Sequence, residues 1–314
     1  EFQPDFVWVK SRGRAVDHAL YDSVRGVEKR LETNNTDAEV TGDTTGLTAF
    51  NSAGYSGGAL DQINGTTATN SFVDWLWKAN GAAVSNTNGT ITSQVSANQT
   101  AGFSIVTYTG TGANATVGHG LGVAPKMVIV KRRTTAGGSW NVWHTGLAGT
   151  EFLLLESTAA KATDATKWNS TTPSSTVFSL GSAGGTNLSA DPIVAYCFTD
   201  VPGYQKIGSY VGGGANSVYV HTGFKTRFLL VKYASGGIAA DWLLLDTARN
   251  TYNVLNTTLR ANLANADEST NPRIDVTSNG FTVRAGSGAE PNQGGATYVY
   301  SAIADTNGKY SNAF

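Results

Sequence analysis

The sequence predicts an all-β protein of three tandem antiparallel β-sandwich-like repeats of about 100 residues, the first truncated at its N-terminus. Two observations lead to this prediction: the composition, and a set of strand-like segments that recurs three times in the same order. Of the 314 residues, 37 are glycine and only 14% are charged, whereas ordinary soluble domains carry about 25% charged residues. Glycine and asparagine supply the positive-φ positions of tight hairpins, so this balance favours turn-rich β structure.

The recurring set begins with an apolar strand that ends on lysine and leads into a hairpin. The strand occupies residues 4–10, 125–131 and 226–232. A second apolar segment follows a short turn, at residues 18–22, 140–144 and 242–246. Both segments are rich in β-branched and aromatic residues, which is typical of strands. From the lysine to the end of the second segment takes 12, 13 and 14 residues, which predicts one hairpin whose loop varies in length.

Further segments match in the same order. The next equivalent positions are aligned at residues 31–34, 155–158 and 255–258. A strand–turn–strand pattern follows at residues 50–55 and 276–281, with a weaker counterpart at 177–180. Each copy closes on an aromatic-rich strand, at residues 72–77, 193–198 and 298–303. The second and third copies also share an opening block, at residues 108–114 and 210–216. Because the first copy lacks this block, we expect it to be truncated and the chain to be part of a longer polypeptide.

These repeats predict the domain boundaries: a truncated first repeat with the start of a linker, a second repeat, and a third repeat with a tail, at residues 1–84, 85–203 and 204–314. The linker, the second boundary and the tail are assigned to residues 80–100, 201–203 and 306–314. Helical patterning is limited to residues 249–267, where leucines at four-residue spacing predict a helical turn or two. Each copy is long enough to close its own core, so we expect three beads rather than a solenoid.

The composition argues against several functions. A net charge of −1 with scattered Lys and Arg gives no electrostatic footprint for nucleic acid. No apolar run reaches the roughly eighteen residues of a membrane span, so no membrane insertion is expected. Cys197 is the single cysteine and lies in an apolar run. We therefore interpret it as a small buried hydrophobe, outside any disulfide or zinc site.

The histidines are interpreted as structural, and we expect no metal or cofactor. His119 and His221 each stand 11 residues after the tyrosine of the opening block, His119 beside a glycine and His221 two residues before one. At this matching position a turn-stabilising imidazole is the simpler role. His144 aligns with Asp22 and Asp246, which indicates a shared hydrogen-bonding role at the end of a strand.

Carboxylates are weighed for glycoside cleavage, which needs two of them on either side of the scissile bond. Asp17 with Asp22, and Asp241 with Asp246, are the candidate pairs by proximity in sequence. The second copy keeps neither member of the pair, so we predict no catalytic residue.

Tryptophans supply the argument for ligand binding. Trp140, Trp143 and Trp168 all lie in the second copy, and two of them stand beside loop-like sequence. Sugar rings can pack an apolar C–H face on indole, so these three are the predicted sugar-contact residues. A core role is the alternative, because Trp242 takes the position of Trp140 in the third copy.

Several segments also carry a family resemblance: residues 4–10, 100–112, 117–121, 125–131, 140–144 and 194–198. Together they resemble repeat-containing structural proteins of marine tailed bacteriophages, in which a concanavalin-like lectin domain often precedes such repeats. The resemblance runs across essentially all of the chain. It implies a tail-fibre or virion-surface protein and carries over no catalytic residue.

We therefore expect a non-enzymatic virion protein: an extracellular tail or surface fibre that contacts host cell-surface polysaccharide. Homo-oligomerisation, as a trimer, and contacts with other virion proteins are expected, since multivalent display strengthens weak contacts. The alternative is a purely structural capsid-decoration or filament-forming subunit without a ligand. The third hypothesis, a polysaccharide-degrading tailspike, requires two converging carboxylates in a groove.

Overall fold

The computed structural model describes residues 2–65, 70–134, 136–235 and 238–305, and its regular structure consists mainly of β-strands. Within these ranges, the ladders between the named strands are all antiparallel. The all-β prediction is confirmed. No helix in the described ranges is long and apolar enough to cross a membrane.

The first unit is built around its lysine strand. Its elements are β1 (Phe6–Ser11), β2 (Ala19–Asp22), β3 (Lys29–Arg30), β4 (Val40–Thr41), β5 (Leu47–Asn51), β6 (Gly54–Gly57), α1 (Asp61–Asn64) and β7 (Phe72–Trp77). Strand β1 lies between β2 and β7, while β3–β4 and β5–β6 form separate two-stranded sheets. The predicted strand–turn–strand at residues 50–55 is the β5–β6 hairpin.

The second unit forms one large sheet and a small hairpin. Its elements are β8 (Val84–Asn86), β9 (Ser93–Asn98), β10 (Phe103–Thr109), β11 (Ala115–Gly118), β12 (Met127–Arg132), β13 (Asn141–His144), β14 (Glu151–Leu154), β15 (Ala162–Thr163), β16 (Val177–Leu180), α2 (Gly184–Asn187) and β17 (Pro192–Phe198). The large sheet has the order β15-β14-β13-β12-β17-β10-β9-β8, and β11 pairs with β16. The linker prediction for residues 80–100 is wrong, because β8 and β9 extend this sheet by pairing with each other and with β10.

The third unit forms a sheet of the same kind. Its elements are β18 (Gln205–Val211), β19 (Val218–His221), β20 (Thr226–Ser235), β21 (Trp242–Asp246), β22 (Leu255–Arg260), β23 (Glu268–Thr277), β24 (Gly280–Val283), α3 (Ala289–Asn292) and β25 (Thr297–Ala304). The order is β18-β25-β20-β21-β22-β23-β24-β19. The helical prediction for residues 249–267 is wrong, since β22 occupies its centre. Leu255 and Leu259 belong to two different hydrophobic clusters, whereas leucines at four-residue spacing would lie on one face of a helix.

One three-strand arrangement recurs in all three units. Each lysine strand lies between the second strand of its hairpin and the aromatic closing strand: β2-β1-β7, β13-β12-β17 and β21-β20-β25. The registers also correspond, with pairs Phe6↔Trp77, Met127↔Phe198 and Phe228↔Ile303. The predicted hairpins and closing strands are therefore confirmed.

The next aligned positions need correction. Strand pairing places Leu31 opposite Leu20, Leu153 opposite Val142, and Leu259 opposite Leu244. The equivalent leucines are therefore 31, 153 and 259, and the alignment of residues 31–34 with 155–158 and 255–258 is wrong. The loops after the hairpins differ in length, so matching leucines in sequence gave a shifted register.

The units are not separate beads, because they share one hydrophobic cluster, the shared core. It combines buried side chains of all three units, among them Phe6, Trp8, Trp77, Phe103, Ile129, Trp140, Phe228, Leu230 and Trp242. Each unit also has a smaller cluster of its own. The expectation that each copy closes its core alone is therefore wrong: each lysine strand buries one face in its own unit and the other in the shared core. The predicted tail at residues 306–314 lies outside the described residues.

Candidate functional site

The three tryptophans predicted to contact sugar are buried. Trp140, Trp143 and Trp168 are 0%, 4% and 2% exposed. Trp140 belongs to the shared core, where it stacks on Tyr196 with ring centroids 6.5 Å apart. Trp143 and Trp168 belong to the second unit's own cluster. Trp140 and Trp168 therefore offer no ring face to a surface ligand, in agreement with the alternative core role.

Ring N–H groups at the start of each second segment link the units in a cycle. Trp140 Nε1 of the second unit donates to the carbonyl of Glu32 in the first, over 2.8 Å. Trp242 Nε1 of the third unit donates to the carbonyl of Leu154 in the second, over 2.8 Å. The first unit has His18 at this position. The second and third units thus each bond to the unit before them in the chain.

His18 closes this cycle. Its Nδ1 accepts a hydrogen bond from Trp8 Nε1 at 2.9 Å, and its Nε2 lies 2.9 Å from the carbonyl of Arg260 in the third unit. A neutral imidazole that accepts at Nδ1 carries its proton on Nε2, so Nε2 is the donor to this carbonyl. Burial lowers the pKa of His18 to about 3, which keeps the ring neutral. The first unit therefore bonds to the third.

The lysines that end the three central strands are fully buried, and each amine donates to backbone carbonyls. Lys10, Lys131 and Lys232 are all 0% exposed. Lys131 reaches into the first unit, to the carbonyl of Asp37 at 2.8 Å. Lys232 reaches into the second unit, to the carbonyl of Ser157 at 3.0 Å. Burial lowers the pKa of each of the three lysines to about 8.

The side chains at the equivalent positions 22, 144 and 246 (Asp22, His144 and Asp246) also have a structural role. Asp22 Oδ1 accepts from the Arg25 backbone N–H at 2.8 Å, and Asp246 Oδ1 accepts from the Arg249 backbone N–H at 2.8 Å. His144 Nδ1 accepts from a backbone N–H two residues further on, at 3.0 Å. The predicted hydrogen-bonding role at a strand end is therefore confirmed in all three units.

The candidate carboxylate pairs do not form an open acid pair. Asp22 and Asp246 are buried, and each forms an ion pair with the arginine three residues on. Asp17 accepts from the Asn34 side-chain amide at 2.6 Å, and Asp241 forms an ion pair with Arg260 at 2.7 Å. In the described part of the chain, no group of three or more His, Cys, Asp or Glu side chains is placed to hold a metal ion.

His119 and His221 turn out not to be equivalent. His119 is buried, and its Nδ1 accepts from the Leu121 backbone N–H at 3.2 Å, so its predicted turn-stabilising role is confirmed. His221 is exposed at the end of β19. The pairs Val117↔Phe178 and Val220↔Phe281 match each other, which shifts the two histidines apart by one residue. The common role is therefore wrong for His221.

Trp143 borders a surface cleft of about 200 Å³ in the second unit. Lys126, Thr145, Thr172 and Pro173 line the cleft with it. Trp143 Nε1 is buried and has no hydrogen-bond partner among the described residues. An indole edge beside hydroxyls and an ammonium offers both the apolar and the polar contacts that a sugar ring uses.

Comparison with known families covers almost the whole chain. Residues 1–307 match the model of a family described as a domain of unknown function (DUF7483). The chain belongs to this family. The DUF7483 match takes in all three lysine strands and the shared core, so the family's domain comprises the three units together. No curated protein and no solved structure matches the chain.

Sequence reasoning missed the cyclic bonding between the units. The three lysines that end the central strands pointed to this bonding, but they were used only to align the repeats. A lysine at the end of an apolar run usually reaches solvent. The other three-residue set, His18, Trp140 and Trp242, mixes an imidazole with two indoles, so residue identity does not reveal that all three donate a ring N–H.

Proposed function

We propose that this chain is a non-enzymatic structural module of a phage virion, displayed on a tail or surface fibre, that contacts host cell-surface polysaccharide. The observation that carries the proposal is the cyclic bonding of three units into one body. The resemblance to virion structural proteins supports the same conclusion. A module exposed outside the cell has to keep its fold without help, and this chain does so through its core and buried polar bonds.

The cyclic arrangement favours mechanical and kinetic stability. Trp140, Trp242 and His18 each bond across a different boundary between units. No unit can detach without breaking bonds to both neighbours, in addition to exposing its part of the shared core. Cys197 is buried and forms no disulfide. The cyclic bonding between the units therefore takes the place of the disulfides that many small extracellular domains use.

The Trp143 cleft is the proposed sugar-contact site. Of the three predicted tryptophans, Trp143 is the one that lines this cleft, together with Lys126 and Thr145. The cleft is small, so a single contact would be weak. Display in several copies, in a homo-oligomer such as a trimer, would raise the avidity by roughly 10² to 10⁴.

A second candidate is a capsid-decoration or filament-forming subunit without a ligand. The burial of Trp140 and Trp168 favours it, since most of the predicted contact surface is committed to the core. In that case the faces of the body would contact other virion proteins, and no sugar would bind at the Trp143 cleft.

The test is binding of the purified chain to an array of bacterial surface polysaccharides, with reducing-sugar release measured on the same polysaccharides. Binding without release, lost in Lys126→Met but kept in Lys78→Met, supports the polysaccharide-contact proposal. Lys78 is exposed and lies outside the cleft. Absence of binding favours the ligand-free subunit, and sugar release refutes the non-enzymatic proposal. Light scattering on the same sample measures the oligomeric state.

A further inference from the structure

The closing strand of the first unit has a free edge. In the second unit β17 lies between β12 and β10, and in the third unit β25 lies between β20 and β18. Strand β7 is their counterpart, and within the described ranges it pairs with β1 alone. The side of β7 that corresponds to the sides covered by β10 and β18 in the other units therefore carries no strand of the described residues.

The backbone groups on this side can be identified from the register. The Arg12 N–H donates to the carbonyl of Ser71 at 2.8 Å. The backbone N–H and C=O groups of the odd-numbered residues of this segment therefore point towards β1. Backbone groups alternate in direction along an antiparallel strand. The N–H and C=O groups of Phe72, Asp74 and Leu76 therefore point to the free side.

A groove of about 170 Å³ runs along this edge. One wall consists of residues 73–77, and the other includes Tyr204, Arg227, Phe228 and Ile303 of the third unit. Successive side chains of a strand point to opposite faces, so five consecutive residues line one groove only when it follows the strand's edge. The buried Nε1 of Trp77 has no hydrogen-bond partner in the described part of the chain.

We propose that the β7 edge is a docking site for an extended polypeptide segment with the residue pattern of β10 and β18, which adds as an antiparallel strand. Exposed edges pair readily with such segments, because main-chain hydrogen bonds supply affinity and alternate side chains supply specificity. The proposal goes beyond a virion-surface role and holds whether or not sugar binds.

The two existing strands define the occupant. Ile105 of β10 lies opposite Tyr196, and Ile207 of β18 lies opposite Ser301. Both isoleucines are buried in the shared core. The equivalent position in the first unit is Trp75, which lines the groove. In a docked strand of this pattern the isoleucine lies opposite Trp75. There it packs against the shared core of the first unit, as Ile105 and Ile207 do in the other two units.

A tyrosine three residues further on completes the pattern. Tyr108 lies opposite Ile193, and Tyr210 lies opposite Tyr298. The equivalent position in β7 is Phe72, which is half-buried. An apolar residue opposite Trp75 and a tyrosine opposite Phe72 are therefore the side chains that select the occupant.

The test uses the full chain and a labelled synthetic peptide with the sequence of residues 203–212, which includes β18. In the protein, the Gly212 N–H donates to the carbonyl of Ala296 at 2.8 Å. The backbone N–H and C=O groups of the even-numbered residues of this segment therefore point towards β25. A peptide N-methylated at Gly208 loses an N–H that pairs with the edge. A peptide N-methylated at Ser209 loses one that points away, and serves as the matched control.

We expect saturable binding by fluorescence anisotropy, and amide exchange at Asp74 slowed by about tenfold in NMR spectra when the peptide is bound. Methylation at Gly208 should weaken binding by about tenfold, whereas methylation at Ser209 should leave it within about twofold. Absence of binding overturns the proposal, and so does equal weakening by the two methyl groups. Protection of β25 amides instead of β7 amides also overturns it, because the peptide would then have exchanged with β18.

Discussion

The hydroxyl of Tyr196 in the second unit donates a hydrogen bond of 2.7 Å to Asp22 Oδ2 in the first unit, inside the protein. Asp22 is also held by the buried Arg25. In the third unit, Asp246 Oδ2 accepts from Trp75 Nε1 of the first, at 3.2 Å. A carboxylate at the end of one hairpin thus binds the closing strand of another unit.

Tyr196→Phe should lower the free energy of unfolding by about 1–3 kcal/mol, because it removes a hydrogen bond to a buried charged group. Urea denaturation measures the change. Tyr252→Phe is the control, since Tyr252 is 84% exposed. A loss for Tyr196→Phe no larger than that of the control would show that the bond across the boundary contributes nothing.

Lys131→Met should destabilise the protein by about 2 kcal/mol, again measured in urea, because the substitution leaves buried acceptors without their donor. The amine donates to the carbonyls of Thr36, Asp37 and Gly138. Removal of a buried charge offsets part of the loss. The exposed Lys78, changed to Met, should have little effect. If Lys131→Met stabilised the chain, the burial cost of the amine would outweigh its hydrogen bonds.

Stability should fall as the pH drops from about 6.5 towards 4. Burial lowers the pKa of His18 to about 3 and of His144 to about 4, while the unfolded chain titrates near 6.5. The unfolded state therefore binds more protons in this window, so the free energy of unfolding decreases with falling pH, by about 1.4 kcal/mol per pH unit for each buried histidine.

His144→Gln should make this pH dependence shallower by about that amount, measured as the free energy of unfolding in urea at pH values between about 6 and about 5. His221→Gln is the matched control, because His221 is exposed. An unchanged slope in His144→Gln would mean that His144 takes up its proton in the folded state as readily as in the unfolded one.

Residues 204–314 expressed alone should fail to form a stable monomer. In the full chain Phe228, Leu230 and Trp242 are buried in the shared core against the other two units, and isolation would expose them to water. Circular dichroism with thermal denaturation, compared with the full chain, measures the effect. A cooperative transition in the isolated unit at the temperature of the full chain would instead support the prediction that each unit closes its own core and folds independently.

Cys197 should react with a thiol reagent in mildly alkaline buffer only after unfolding. It is fully buried, and burial raises the pKa of its thiol to about 12, so the reactive thiolate is scarce and shielded. An added cysteine at the exposed Ser52, in Ser52→Cys, should react at once in the native protein. Fast modification of Cys197 in native buffer would indicate that the β17 region opens readily.

The strands themselves could be read from the sequence, because a strand depends on local alternation and on residues that fit a pleated surface. Residues 4–10, 125–131 and 226–232 form the central strands of three matching three-strand arrangements, with hairpins and closing strands where the repeats placed them. Where the pattern was ambiguous it failed. Leucines spaced by four fit a helix and a strand equally, and pairing with neighbouring strands selected β22.

Only the tertiary structure decided how the units meet. The sequence around Trp140 is the same whether the indole faces solvent or a neighbouring unit. The ring is buried because it packs in the shared core, and its N–H donates to the carbonyl of Glu32, 108 residues away in the chain. Lys131 likewise ends an apolar run, yet its amine is buried because another unit's loop supplies the acceptors. The local sequence pattern indicates which face of a strand is apolar. It does not indicate what packs against that face, since those groups come from distant parts of the chain.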